Sequence, residues 1–295
     1  MIDNNQFDTN QRRYATALKP GLGLGLFFCL FLLMLVVASM LLQLVMSKWG
    51  DSTAALRIVT IVQDLLVFIL PPTVTALMMT RLPAEFLEVM KPPKLTLVLA
   101  AVLTMLLAVP VMNLIISWNA SISLPASLEW MRVAEENAQA TLEKLMGLPT
   151  AGNLIVSLLI VGCLTGFAEE LFFRGGVQKL LLCTRINPHL AIWLAAVIFS
   201  LFHMQVLGFV PRVLLGAFFG YLMWWSGSLW LAVIAHAFNN MVVVAGRWAK
   251  EWFESAPDID AIGTASSVES AIMAIVSVGL TAVMIVALRK LCLRS

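Results

Sequence analysis

The sequence predicts an all-α, polytopic membrane protein with about eight transmembrane helices. Three observations predict it. Of 295 residues, 60% are hydrophobic and only 12% are charged, the mean hydropathy is +0.92, and the apolar residues gather into runs of bilayer length. Soluble domains carry about 25% charge, and a soluble fold of this size could not hide so much apolar surface. A hydrocarbon core ~30 Å thick takes about 20 helical residues, and a helix satisfies the backbone groups that lipid cannot. The net charge of +2 is too small to point to nucleic acid. Cys29, Cys163, Cys183 and Cys292 are scattered singly, so neither a disulfide framework nor a CxxC metal motif is present.

Residues 1–20 form a polar N-terminus ending in Arg12, Arg13 and Lys19, with no cleavable signal evident. Residues 21–149 hold three spans and a surface segment. The first span, 22–46, is free of charge. Its Gly21-x-Gly23-x-Gly25 start lacks the strand and acidic residue of a dinucleotide fingerprint, so it reads as close helix packing. The second, 58–79, carries Asp64 near its start, which reads as a helix-end carboxylate reaching the interface. Pro92-Pro93 stops any helix before the third span, 95–118. Residues 125–146 are expected to form an amphipathic helix that lies on the membrane surface or caps the bundle. Its Glu135-Glu136 pair has Ala140 four residues on and polar surroundings, the pattern of a solvated face.

Residues 150–246 hold four spans: 153–178, 190–207, 213–225 and 229–244. Residues 247–295 supply an acidic-rich linker at 250–260, the last span at 271–288, and a basic tail of Arg289, Lys290 and Arg294. Lys and Arg collect at 12–19, 81–94, 174–185 and 289–294, while acidic residues collect at 119–150 and 250–260. The positive-inside rule then places both termini in the cytoplasm.

The fourth span carries Glu169, Glu170 and Arg174. Each ionisable residue there costs roughly 2.5–3.5 kcal/mol on insertion scales, so the triplet is not membrane filler. Residues four apart share a helix face, so Arg174 pairs with Glu170 and leaves Glu169 without a counter-ion on its own helix. Glu169 is thereby free to act as a general base. His203 and His236 lie deep in later spans, and Asn240 shares the His236 face, with Asn239 nearly so. His189, after Asn187-Pro188, reads as a helix start at the interface. Gly162 and Gly166, and again Gly216 and Gly220, have the spacing of close helix contacts. A carboxylate and an imidazole can activate water, and Asn and His can donate to an oxyanion. The same Glu169, His203 and His236 could bind zinc as a His₂Glu set, although HExxH is absent. A proton relay or structural network in a transporter or scaffold is the non-enzymatic alternative. Simple rise arithmetic does not place Glu169 and Asn240 level, and a longer or tilted fourth helix would reconcile them.

Glu169-Glu170-x-x-x-Arg174, Phe199-x-x-x-His203 and His236-x-x-x-Asn240, in this order on successive spans, resemble the CPBP intramembrane proteases. That family includes CAAX prenyl endopeptidases of the Rce1 type and bacterial Abi-type bacteriocin-immunity proteins. The resemblance covers roughly residues 150–245. It implies a glutamate-type endopeptidase without metal or other cofactor, in a bacterial-type plasma or inner membrane. Its partners would be membrane lipids and a protein or peptide substrate, with no nucleic acid. It further implies that Glu169 and His203 activate water, that His236 and Asn240 form an oxyanion hole, and that Arg174 pairs with Glu170.

Overall fold

The computed structural model describes residues 18–123, 125–253, 261–264 and 267–294, and among them the chain is helical with no strand. The Arg12-Arg13 cluster and the acidic residues of 254–260 lie outside the described residues. Eight helices form the bundle and one lies across its end. They are α1 Pro20–Trp49, α2 Thr53–Met79, α3 Leu95–Ala120, the surface helix α4 Glu129–Met146, α5 Ala151–Cys183, α6 Pro188–Phe202, α7 Phe209–Ser226, α8 Leu229–Trp252 and α9 Val268–Leu293. Seven are long and apolar enough to cross a membrane, and α6, of 15 residues, is the shorter eighth. Large apolar side chains on α1 and α9, such as Leu32, Val36, Ile275 and Val283, are exposed. That pattern suits lipid contact and would be costly in water.

Contacts between loops define two end faces. At one, Lys91 donates to the Ser226 carbonyl, Leu229 N–H to the Glu88 carbonyl, and Lys179 pairs with Glu88. At the other, Asn119 donates to the Val206 carbonyl, Arg57 to the Leu145 and Met146 carbonyls, and Trp252 to the Pro149 carbonyl. α6 runs from the first face to the second with only about 22 Å of helix. His203 closes it and Met204 follows with a positive φ of 52°.

Two local features bend the bundle toward its centre. α2 widens into a π-helical stretch at Asp64–Ile69, just before Pro71-Pro72. Proline has no N–H and its ring crowds the carbonyl four residues back, which loosens the preceding turn. α5 has two such stretches, Leu158–Thr165 and Leu171–Gln178, on either side of the Gly166–Glu170 turn. Its small residues set the packing. A Cβ on Gly166 would lie 3.1 Å from the Ala237 nitrogen of α8, and one on Gly216 would lie 3.2 Å from the Ala196 Cα of α6. Behind the glutamates, Phe172 and Phe173 stack among Phe27, Phe31, Phe68, Phe199 and Phe202, which fixes α5 against α1, α2 and α6.

Candidate active site

The core of the site is one imidazole between two adjacent glutamates. Glu170 and Arg174, both 0% exposed, form the i, i+4 pair at 2.7 Å. The same carboxylate oxygen, Oε1, lies 2.7 Å from His236 Nδ1. His236 Nε2 faces Glu169 Oε2 at 3.6 Å, longer than a hydrogen bond. Glu170 meets Arg174 and His236 through Oε1 alone, its Oε2 buried without a hydrogen-bond partner among the described residues, while Glu169 has 13% of its side chain exposed.

Burying a charge is tolerable when it is paired and hydrogen-bonded. Arg174 meets that condition from three sides. It donates from Nη1 to Glu170 and from Nη2 to the Gly216 carbonyl at 2.8 Å, and its guanidinium lies over the rings of Phe199 and Phe219 at 4.9 and 5.5 Å. The Gly216 spacing read from the sequence brings the α7 backbone within that reach. Phe219 also stacks on His236, 5.0 Å between centroids, so the imidazole is fixed in plane as well as at Nδ1.

The other expected residues fall around this core. His203 and His236 both meet the Phe199 ring, at 4.9 and 5.7 Å, and His203 Nδ1 bonds the Phe199 carbonyl at 2.9 Å. The structure thus places His203 beside the site, one ring from His236. Asn240 lies one turn beyond His236 and donates to the Val161 carbonyl of α5 at 3.1 Å. An amide carries two N–H groups, and this contact uses one of them. His189 stays apart, at the α6 start with its Nδ1 2.6 Å from the Tyr221 hydroxyl.

Helix length explains how these residues meet. Lys179 and Leu229 both touch Glu88 at one end face. Glu170 is nine residues back from Lys179, about 13 Å, and His236 seven residues on from Leu229, about 11 Å. The 33-residue α5 supplies the longer fourth helix that levelling the site requires.

Two expectations are corrected. Asp64 does not reach an interface. It is 2% exposed and accepts at 2.8 Å from the hydroxyl of Thr165, which lies one turn before Glu169 on α5. α2 begins at Thr53 rather than at 58, so Asp64 is about 16 Å inside the helix. Nor is Glu135-Glu136 simply a solvated pair. Glu136 is exposed and binds Arg132, but Glu135 turns inward, accepting from Leu207 N–H at 3.0 Å and meeting Arg212 at 3.8 Å.

Arg212, which no sequence motif marks, bonds Gln205, two residues after His203, and meets Glu135. The available signal was topological: it is a cation at the end face where acidic residues collect. Among the described residues, no three His, Cys, Asp or Glu side chains are grouped to hold a metal ion.

Residues 151–242 match one family model, described as type II CAAX prenyl endopeptidase Rce1-like. The matched span contains Glu169, Glu170, Arg174, His203, His236 and Asn240. A search of the curated proteins finds no match, and a search of the solved structures finds none. The 151–242 segment is thus similar to an endopeptidase family over about a third of the chain.

Proposed function

We propose that this Rce1-like chain is an intramembrane glutamate-type endopeptidase that hydrolyses peptide bonds of membrane-associated proteins. The observation that carries the reading is the unequal pair of glutamates about His236. A general base must have an oxygen that water can reach, and Glu169, 13% exposed, has one, while Glu170 is fully buried with Oε1 shared by Arg174 and His236. Glu169 takes a proton from water, and the resulting oxygen nucleophile attacks the peptide carbonyl. The proton passes to the departing amine as the C–N bond breaks. No covalent enzyme intermediate is needed.

In this reading His203 orients the water from beside Phe199. Glu170 anchors the His236 ring through Nδ1, which aims Nε2 at the reacting side. His236, when it carries a proton on Nε2, and the second amide hydrogen of Asn240 donate to the developing oxyanion. Arg174 acts at one remove, by holding Glu170 and through it the imidazole. The other ends of α1 and α9 lie at the opposite face, where Asp51 pairs with Lys144 and Asn113 donates to the Ile262 carbonyl, so Pro20 and Leu293 lie toward the basic end face, which we place in the cytoplasm of a bacterial-type membrane. The CAAX-type family match supports a peptide substrate at the membrane. Bacteriocin immunity or processing is one setting for such an activity.

The test compares membrane-fraction peptide termini between cells carrying the wild-type chain and cells carrying Glu169→Ala. Discrete new C-termini present only with the wild-type chain are expected, together with cleavage of the matching synthetic peptides by purified protein. Identical termini in both strains, or equal cleavage by the two purified proteins, would sink the assignment.

A further inference from the structure

Arg212 combines features that the hydrolytic reading leaves unused. It stands near the start of α7, half-buried, at the end face where α4 crosses the bundle. Nη1 donates to the Gln205 carbonyl at 3.0 Å and Nη2 to Gln205 Oε1 at 2.6 Å. These bonds fix the guanidinium plane. Gly208 leaves room for it, since a Cβ there would strike the Arg212 side chain. Glu135 of α4 approaches Nη2 at 3.8 Å, beyond hydrogen-bond length, while its other oxygen is held by Leu207 N–H. A carboxylate therefore already stands at this guanidinium, but loosely. On the inner side, Gln205 follows His203 by two residues, so these bonds tie the guanidinium to the turn that carries His203. Arg174, by contrast, donates to Glu170 and to the Gly216 carbonyl.

We infer that Arg212 is a substrate-binding residue that receives a carboxylate of the peptide, from its C-terminus or from an acidic side chain, in the place Glu135 holds. The inference rests on the endopeptidase reading for what the ligand is. A planar guanidinium presents paired donors that match a carboxylate. The carboxylate of Glu135 would repel an acidic peptide without it. Binding at Arg212 would set the scissile bond at a fixed distance from Glu169 and so select where the chain is cut.

The experiment uses full-length protein in detergent and three fluorescent peptides of one sequence. One ends in a free carboxylate, one is amidated and neutral, and one is amidated with Glu in place of Gln. Binding is read by anisotropy on Glu169→Gln protein, to avoid turnover. At least one acid-bearing peptide is expected to bind about tenfold or more tighter than the neutral amide, the usual size of a charge-assisted hydrogen bond. Which of the two does so separates C-terminus from side chain. Adding Arg212→Gln should abolish the preference, Arg212→Lys should keep part of it, and Glu135→Gln should sharpen it. Absence of preference, its survival in Arg212→Gln, or an equal loss for all three peptides would overturn the inference. Cleavage is read separately with wild-type protein. Peptides bound with preference but never cut would count against the endopeptidase reading alone. Peptides cut but bound without regard to charge would count against Arg212 alone.

Discussion

Removing the charge of Arg174 should cost this bundle far more stability than removing that of its neighbour's neighbour, Glu169. The 2.7 Å contact with Glu170 is worth about 6 kcal/mol in gross Coulomb energy at an effective dielectric of ~20. Desolvation offsets much of that. What matters on mutation is the partner left behind, and breaking a buried pair typically costs about 3–5 kcal/mol. Arg174→Met leaves Glu170 0% exposed with His236 at the shared oxygen, and also removes the bond to the Gly216 carbonyl. Glu170→Gln leaves the guanidinium between the Phe199 and Phe219 rings, which soften its loss. We expect Arg174→Met near the upper end of that range, Glu170→Gln below it, and the double variant less destabilised than the two singles added, by about 2 kcal/mol or more. Equilibrium unfolding in mixed micelles, followed by tryptophan fluorescence, measures all four corners of the cycle. Strict additivity, or single variants as stable as the wild type, would refute the buried pair as the strut of this site.

Glu169→Gln, by contrast, should unfold within about 1 kcal/mol of the wild type, since its nearest ring contact is a 3.6 Å approach, yet lose peptide cleavage by at least about a hundredfold; retained cleavage would move the base elsewhere. Gly166→Leu should destabilise by about 1–3 kcal/mol or more through overpacking, because its Cβ would meet α8 backbone at 3.1 Å, while Gly152→Leu, with nothing within 4 Å, should be near neutral by the same unfolding assay. Cleavage should survive exhaustive dialysis against a chelator. Loss on dialysis with recovery on added zinc would turn the chemistry to the His₂Glu set of Glu169, His203 and His236. Asp64→Asn keeps the acceptor for Thr165 and removes a charge near Glu169, so it should alter the pH profile of cleavage without lowering the unfolding midpoint; an unchanged profile would detach Asp64 from the chemistry.

The parts of this site that were legible in the sequence are those fixed by one helix. Glu170 with Arg174 follows from a four-residue interval, and Glu169 then stands apart by a rotation of about 100°. That His236 stands between both carboxylates did not follow, because it depends on where α8 crosses α5. Gly166 was read as a packing residue, and it is what brings Ala237 close enough for the next residue back, His236, to reach the glutamates. Asp64 was misplaced by a boundary. The apolar run suggested a start at 58, but Ser52 caps the helix by accepting from Ala55 N–H, a signal carried by residue type rather than hydropathy. The end of α6 was hidden for the opposite reason. Residues 204–207 are nearly as apolar as the helix before them, so hydropathy ran on, whereas the backbone turns at Met204 to bring Leu207 and Arg212 against Glu135 of α4. Periodicity reports which face a residue shares with its own helix neighbours. Caps, turns and crossing points decide which residues of other helices arrive at that face, as α8 brings His236 to the two glutamates of α5.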